Sequence, residues 1–164
     1  MKGIIEIVLI AIVAIIVMEG FFLNVLIGKQ VTLKQTAKEI EIIKSVNKIE
    51  SVKKGLPYSL YYSFQEALKV GGYDSFSQVK NMGEFEKNIS IIFDDYREEL
   101  RQASGIIIPN GRIDLNYDGD KLTLTFSSQD LLTYKYSSDD FSFEIFDNPN
   151  TTVKIKNGEL LDYI

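Results

Sequence analysis

The chain has no cysteine, no histidine and no tryptophan, and only three prolines in 164 residues. Those absences remove thiol chemistry, Cys/His metal sites, any Ser-His-Asp triad and any imidazole base. Zero cysteine also excludes a disulfide-stapled domain, but it fits either side of a membrane. Positive charge is in deficit: 18 Lys and Arg stand against 23 Asp and Glu, for a net charge of −5. No broad basic surface for nucleic acid is expected from that balance. Glycine-rich phosphate loops, nucleophile motifs, internal repeats and low-complexity tracts are also missing. Paired acids occur at Asp94-Asp95, Glu98-Glu99 and Asp139-Asp140. They read as solvated helix faces and turns rather than as general acid–base pairs. The expectation is a non-enzyme with no identified small-molecule substrate.

What is abundant is apolar sequence at the start. Nearly every position from Ile4 to Ile27 is apolar, and Ile7 to Met18 holds no polar residue. Roughly 25 residues in a helix span about 37 Å, enough for a ~30 Å hydrocarbon core. Residues 1–28 therefore read as a single transmembrane anchor in contact with membrane lipid. A cleaved secretory signal fits less well. The apolar run is too long, Lys2 is the lone basic side chain before it, and Met18-Glu19-Gly20 is a poor cleavage site. Two acids, Glu6 and Glu19, lie in the stretch. Either they sit at the headgroup edge and tolerate modest burial, or they have partners, as intramembrane acids usually do. In a bundle of identical helices Glu6 would pair with a neighbour's amino terminus. These two residues are the candidate assembly positions.

Residues 29–55 read as an amphipathic helical stalk, with Gly55-Leu56-Pro57 as its stop signal. Leu33, Ala37 and Ile40 share one face, while Ile43, Val46, Ile49 and Val52 recur at a spacing of three and drift around the axis. Residues 56–164 read as an α+β globular domain. Pro57 opens a second helix over 58–70, closed by Gly71-Gly72 and rich in aromatics: Tyr58, Tyr61, Tyr62 and Phe64, then Tyr73 and Phe76. Two readings stand for these rings: a core under the sheet, or a surface for a partner or the membrane interface. Ser75 and Gln78 frame a short capped turn. A further helix over 84–103 carries Phe85, Ile89, Ile92, Phe93, Tyr96, Leu100 and Ala103 on one stripe, with Asp94, Arg97, Glu98 and Arg101 opposite.

From residue 106 the period changes to two, which predicts an antiparallel β-meander of five to seven strands over 106–164, packed under the helices. Asn110-Gly111, Asp118-Gly119 and Asn157-Gly158 carry two-residue hairpin signals. Asp114, Asn116 and Asp118, with Gly119 and Asp120, fit the opening D-x-N-x-D-G of a calcium loop. That resemblance to an EF-hand loop covers six positions. Lys121 stands where an apolar residue is usual, and Thr125 replaces the bidentate Glu. Calcium and a plain hairpin are both carried forward; no other cofactor is expected. Asn88 and Asn150 head N-x-[ST] triplets and are glycosylation candidates if the domain is extracellular. Lys29, Lys34 and Lys38 after the span favour a cytoplasmic domain by charge. The sequons and the calcium-type loop point the other way, and an extracellular domain is expected.

An apolar amino-terminal helix that runs into an amphipathic one, followed by an antiparallel sheet, resembles archaeal type IV pilin-like proteins. Lys2-Gly3 before Ile4 looks like a very short leader of that family. The resemblance implies cleavage between Gly3 and Ile4, packing of the helix into a filament core, and a sheet domain on the outside. Family members usually carry Glu at the fifth residue after the cut; here Glu6 is the third. Leu56-Pro57-Tyr58-Ser59 through Gly71-Gly72-Tyr73 is also similar to segments of uncharacterised archaeal membrane-anchored proteins. The function expected is that of a membrane-anchored structural or interaction protein, a pilin-like subunit in its most specific form. The alternative is a monomeric anchored binding module that presents the aromatic helix or the sheet face.

Overall fold

Backbone from Lys2 to Ile164, and side chains from Ile15 onward, are described by the computed structural model. The processing pair Gly3-Ile4 and the assembly residue Glu6 lie outside the residues whose side chains are described. The chain divides into two units, Met1–Ile43 and Lys44–Ile164.

Helix α1, Lys2–Val70, runs without a break through Pro57. This corrects the expected stop at Gly55-Leu56-Pro57 and removes the separate helix over 58–70. Pro57 forfeits one backbone bond and costs about 3 kcal/mol in a helix interior. Around it Ile49, Val52, Leu56, Leu60, Phe64 and Ala67 are all buried. They recur at spacings of three and four, and a fully buried side chain of that size contributes about 1.5–3 kcal/mol. Packing on both sides of Pro57 thus outweighs the local stop signal. Gly55 has a different role: a Cβ there would lie 3.3 Å from Leu100 Cδ2, so the bare backbone lets the next helix approach. The helix ends at Gly72, which takes φ 68°. Tyr73 N–H donates to Leu68 O and Gly72 N–H to Lys69 O, the paired bonds of a Schellman cap.

A 3-10 turn at Phe76–Gln78 leads to α2, Met82–Ser104. Asn81 caps α2 by accepting from Glu84 N–H at 3.2 Å, and Glu84 accepts in return from Asn81 Nδ2. Phe85, Ile89 and Phe93 are its buried residues, on the stripe that the sequence predicts. Gly105 closes the helix in the left-handed region.

Six strands follow: β1 Arg112–Tyr117, β2 Leu122–Ser127, β3 Leu132–Ser137, β4 Ser142–Asp147, β5 Thr151–Lys156 and β6 Glu159–Tyr163. They form a four-stranded antiparallel sheet in the order β1-β2-β5-β6 and a separate β3-β4 ribbon. The single meander expected over 106–164 is corrected accordingly. Pairing β2 with β5 sets Leu124 opposite Val153, both fully buried, and Thr125 opposite Thr152, whose hydroxyls lie 3.2 Å apart. Asn150 Oδ1 accepts from Ser128 N–H at 2.8 Å and ties the two ends of the β3-β4 excursion together. The ribbon rests on an Ile107–Thr133 bridge.

Asn157-Gly158 forms the expected two-residue hairpin, with φ 52° and 83°, the signs of a type I′ turn, whereas Asp118-Gly119 opens a four-residue connection between Tyr117 and Leu122. Asn110-Gly111 turns no hairpin. It enters β1, and a Cβ on Gly111 would lie 2.4 Å from Phe126 Cε2. Close approach to a ring, not a turn, requires that glycine. The core joins α1, α2 and one face of the larger sheet, with Phe93 and Phe126 centroids 4.9 Å apart.

Candidate functional site

The first candidate is the apolar stretch of α1. It is the one segment among the described residues long and apolar enough to cross a membrane. Ile15, Met18, Phe21, Phe22, Leu26 and Ile27 are each more than half exposed, so among the described residues no side of this stretch is buried. A helix that is apolar all round needs either other protein or lipid about it. Glu19 projects from the same stretch and is exposed. The apolar exposure continues beyond the span at Leu33, Ile40, Ile43 and Val46.

The calcium-type residues fall on a hairpin rather than a wrapping loop. Asp114 and Asn116 lie on β1, and Asp118 and Asp120 in the turn after it. Arg112 Nε pairs with Asp114 Oδ1 at 2.6 Å. Asp118 Oδ1 accepts from the N–H groups of Lys121 at 2.7 Å and Asp120 at 3.0 Å. Those two bonds hold the Asp118 carboxyl below its ordinary range. Asp120 Oδ2 receives Lys156 Nζ at 2.8 Å. Among the described residues no three His, Cys, Asp or Glu side chains gather to hold a metal ion. Of the two sequons, Asn150 is exposed with its Oδ1 on Ser128 N–H, whereas Asn88 is half-buried on α2.

The aromatic segment divides. Phe64 is buried, and Tyr61, Tyr73 and Phe76 pack against the core, while Tyr58 and Tyr62 are exposed. Tyr58 lies beside Tyr163 with hydroxyls 3.4 Å apart, a bond that raises the Tyr58 pKa. Tyr96 donates to Glu66 at 3.1 Å, which raises the Tyr96 pKa. On the exposed side of α2, Arg101 and Gln102 lower Glu98 to about 2.

Two features lay beyond sequence reading. One is Arg97, expected on the wet face of α2. Its guanidinium reaches back to the Ile108 carbonyl and the Asn110 side chain, and clamps the connection into β1. The other is a cleft of about 530 Å³ at one end of the larger sheet. It forms where the end of α1, the 3-10 turn, and the β1-β2 and β5-β6 hairpins meet. Its aromatic wall is Phe64, Phe76 and Tyr117, with the Phe76 and Tyr117 centroids 5.1 Å apart in an edge-to-face pair. Asp74, Asp120 and Glu159 stand around it, far apart in sequence and without periodic spacing. Gln65 Nε2 and Tyr61 OH both donate to Gly158 O, at 2.6 and 3.0 Å, and so pin the β5-β6 turn against α1.

The chain matches no family model, and no curated protein or solved structure is significantly similar to it.

Proposed function

We propose that the chain is a single-pass membrane-anchored structural or interaction protein, a pilin-like filament subunit in its most specific form. In this reading residues 1–28 sit in lipid or in a bundle of identical helices, and the unit Lys44–Ile164 lies outside the cell. The observation that carries it is the exposed apolar run from Ile15 to Ile27. Burying that run in lipid or protein removes a large apolar area from water, at about 25 cal/mol for each Å². Continued exposure at Leu33, Ile40, Ile43 and Val46 favours helix packing beyond the bilayer, because lipid tails do not reach that far along α1. Glu6 and Glu19 are the acids such a bundle would have to satisfy.

Mass spectrometry of the mature amino terminus, in membrane and sheared surface fractions of the native host, tests the proposal. A terminus at Ile4 in the sheared fraction supports a processed, assembled subunit with its domain outside. An intact Met1 confined to membranes overturns the filament form and leaves a permanently anchored, monomeric binding module.

A further inference from the structure

We infer that the cleft at the end of the larger sheet is a binding site for an organic ammonium group, either a free alkylamine or the side chain of a partner's lysine. The inference concerns the unit Lys44–Ile164 alone and stands whether or not the anchor helix assembles.

Size comes first. A volume of about 530 Å³ falls within the few hundred to roughly 1,000 Å³ usual for small-ligand sites. It is far more than an ammonium needs and leaves room for an alkyl chain. The floor is apolar, with Leu122 and Ile155 buried beneath it.

Charge decides the ligand class. Among the described residues three carboxylates line the cleft and no Lys or Arg side chain does. Lys156 reaches in from β5 to Asp120 and neutralises that one acid. Among the described residues Asp74 and Glu159 have no cationic partner: the contact at Asp74 is made by its backbone N–H, which donates to Gln78 Oε1. An anion would be repelled by the two exposed carboxylates, and a neutral alcohol brings them one O–H donor and no charge.

Hydrogen-bonding capacity points the same way. Two donors at the rim are committed to the protein's own carbonyls, Tyr117 OH on Gly119 O at 2.8 Å and Gln65 Nε2 on Gly158 O, and the Ser75 and Ser77 hydroxyls bond one another at 2.9 Å. The Asp74 and Glu159 carboxylates remain as charged acceptors, which suit an ammonium with three donors and no acceptor. The aromatic wall adds attraction of the same sign. The face of an exposed ring draws a cation by about 0.5–1 kcal/mol, and more where water is excluded. Tyr117 is 45% exposed at the mouth, so its ring is accessible.

The test uses the full chain in detergent micelles, titrated calorimetrically at fixed ionic strength with butylammonium chloride. The arms are n-butanol as the neutral isostere and an end-blocked Gly-Lys-Gly peptide. Saturable binding of butylammonium with none of n-butanol is expected. Asp74→Asn and Glu159→Gln should each weaken it about threefold, and Tyr117→Leu by a similar factor. Asp130→Asn removes an exposed acid in the turn after β2, outside the cleft, and should leave binding unchanged. Tighter binding of the peptide than of butylammonium identifies a partner's lysine as the source; the reverse identifies a free amine. Equal binding of n-butanol, or an equal loss in Asp130→Asn, overturns the inference, because the affinity would then be merely apolar or merely bulk charge.

Discussion

Helix α1 carries two stretches rich in Ile, Leu, Val and Phe, and they meet opposite fates. From Ile15 to Ile43 such residues are exposed; from Ile49 to Leu68 nearly all are buried. Both stretches form the same helix, so conformational preference does not separate them. The second presents its apolar residues as a stripe, with polar positions such as Glu50 and Lys54 between them, and α2 and the sheet cover that stripe. From Ile15 to Ile27 the first is apolar all round apart from Glu19 and Asn24, so a layer packed against one side would leave the rest uncovered. A helix's pattern, more than its hydrophobicity, fixes whether its own fold or its surroundings must bury it.

The sharpest way to break this comparison is to truncate one large ring in each stretch. Phe64 is 1% exposed and meets Phe85 edge-to-face at 5.9 Å. Phe64→Ala should cost about 3–5 kcal/mol of unfolding free energy. Phe21 is 69% exposed, and Phe21→Ala should shift the same transition by less than about 0.5 kcal/mol. Urea unfolding of the full chain in micelles, followed by tyrosine near-ultraviolet dichroism, reads both. Equal costs would mean that the stretches share one core, and the contrast would fail.

Glycines sharpen the contrast at the next level. A Cβ on Gly111 would meet the Phe126 ring and the Ser127 carbonyl oxygen at 2.5 Å or less, whereas one on Gly20 or Gly28 meets nothing within 4 Å. Gly111→Ala should therefore destabilise by about 1–3 kcal/mol in the same unfolding assay. Gly28→Ala should instead raise helix content slightly, because alanine is the better helix former by about 1 kcal/mol. A loss of stability in Gly28→Ala would reveal a close neighbour at that position. Smaller again is the cap of α2. Asn81→Ala removes the acceptor for Glu84 N–H and should cost about 1 kcal/mol, with faster amide exchange confined to the first turn.

How far the sequence discloses this molecule follows the same division. The apolar run, the stripe of α2 and the two hairpin turns at Asp118-Gly119 and Asn157-Gly158 are local patterns, and each is legible. The path through Pro57 is not, because the side chains that override the proline come from elements tens of residues away. Nor is the β2-β5 pairing, since a meander and an excursion share one alternation. Arg97 sits at the polar spacing of α2, yet its length lets it fold back to Asn110. The cleft was hidden for the same reason: Asp74, Tyr117 and Glu159 become neighbours only once four separate elements converge.

The smallest effect concerns acid, and it tests whether pH sensitivity belongs to the folded unit's surface. Glu98 on α2 is held at about 2, from an ordinary 4.5, first by hydrogen bonding to Arg101 and then to Gln102. Arg101 Nε lies 2.6 Å from Glu98 Oε2. A carboxyl with a lowered folded-state pKa stabilises in its ionised form. That contribution is fully present above about 4.5 and is lost as pH falls toward about 2. The pair is solvent-exposed, so screening keeps its share of stability small and salt-sensitive. Carboxyl-carbon NMR of the labelled chain between pH 2 and pH 6 should show the Glu98 midpoint near the bottom of that range. Arg101→Ala should move it up toward the ordinary value. A midpoint already near 4.5 in the unaltered chain would show that the ion pair does not persist in solution, and that the acid limb of the unfolding profile arises elsewhere in the unit.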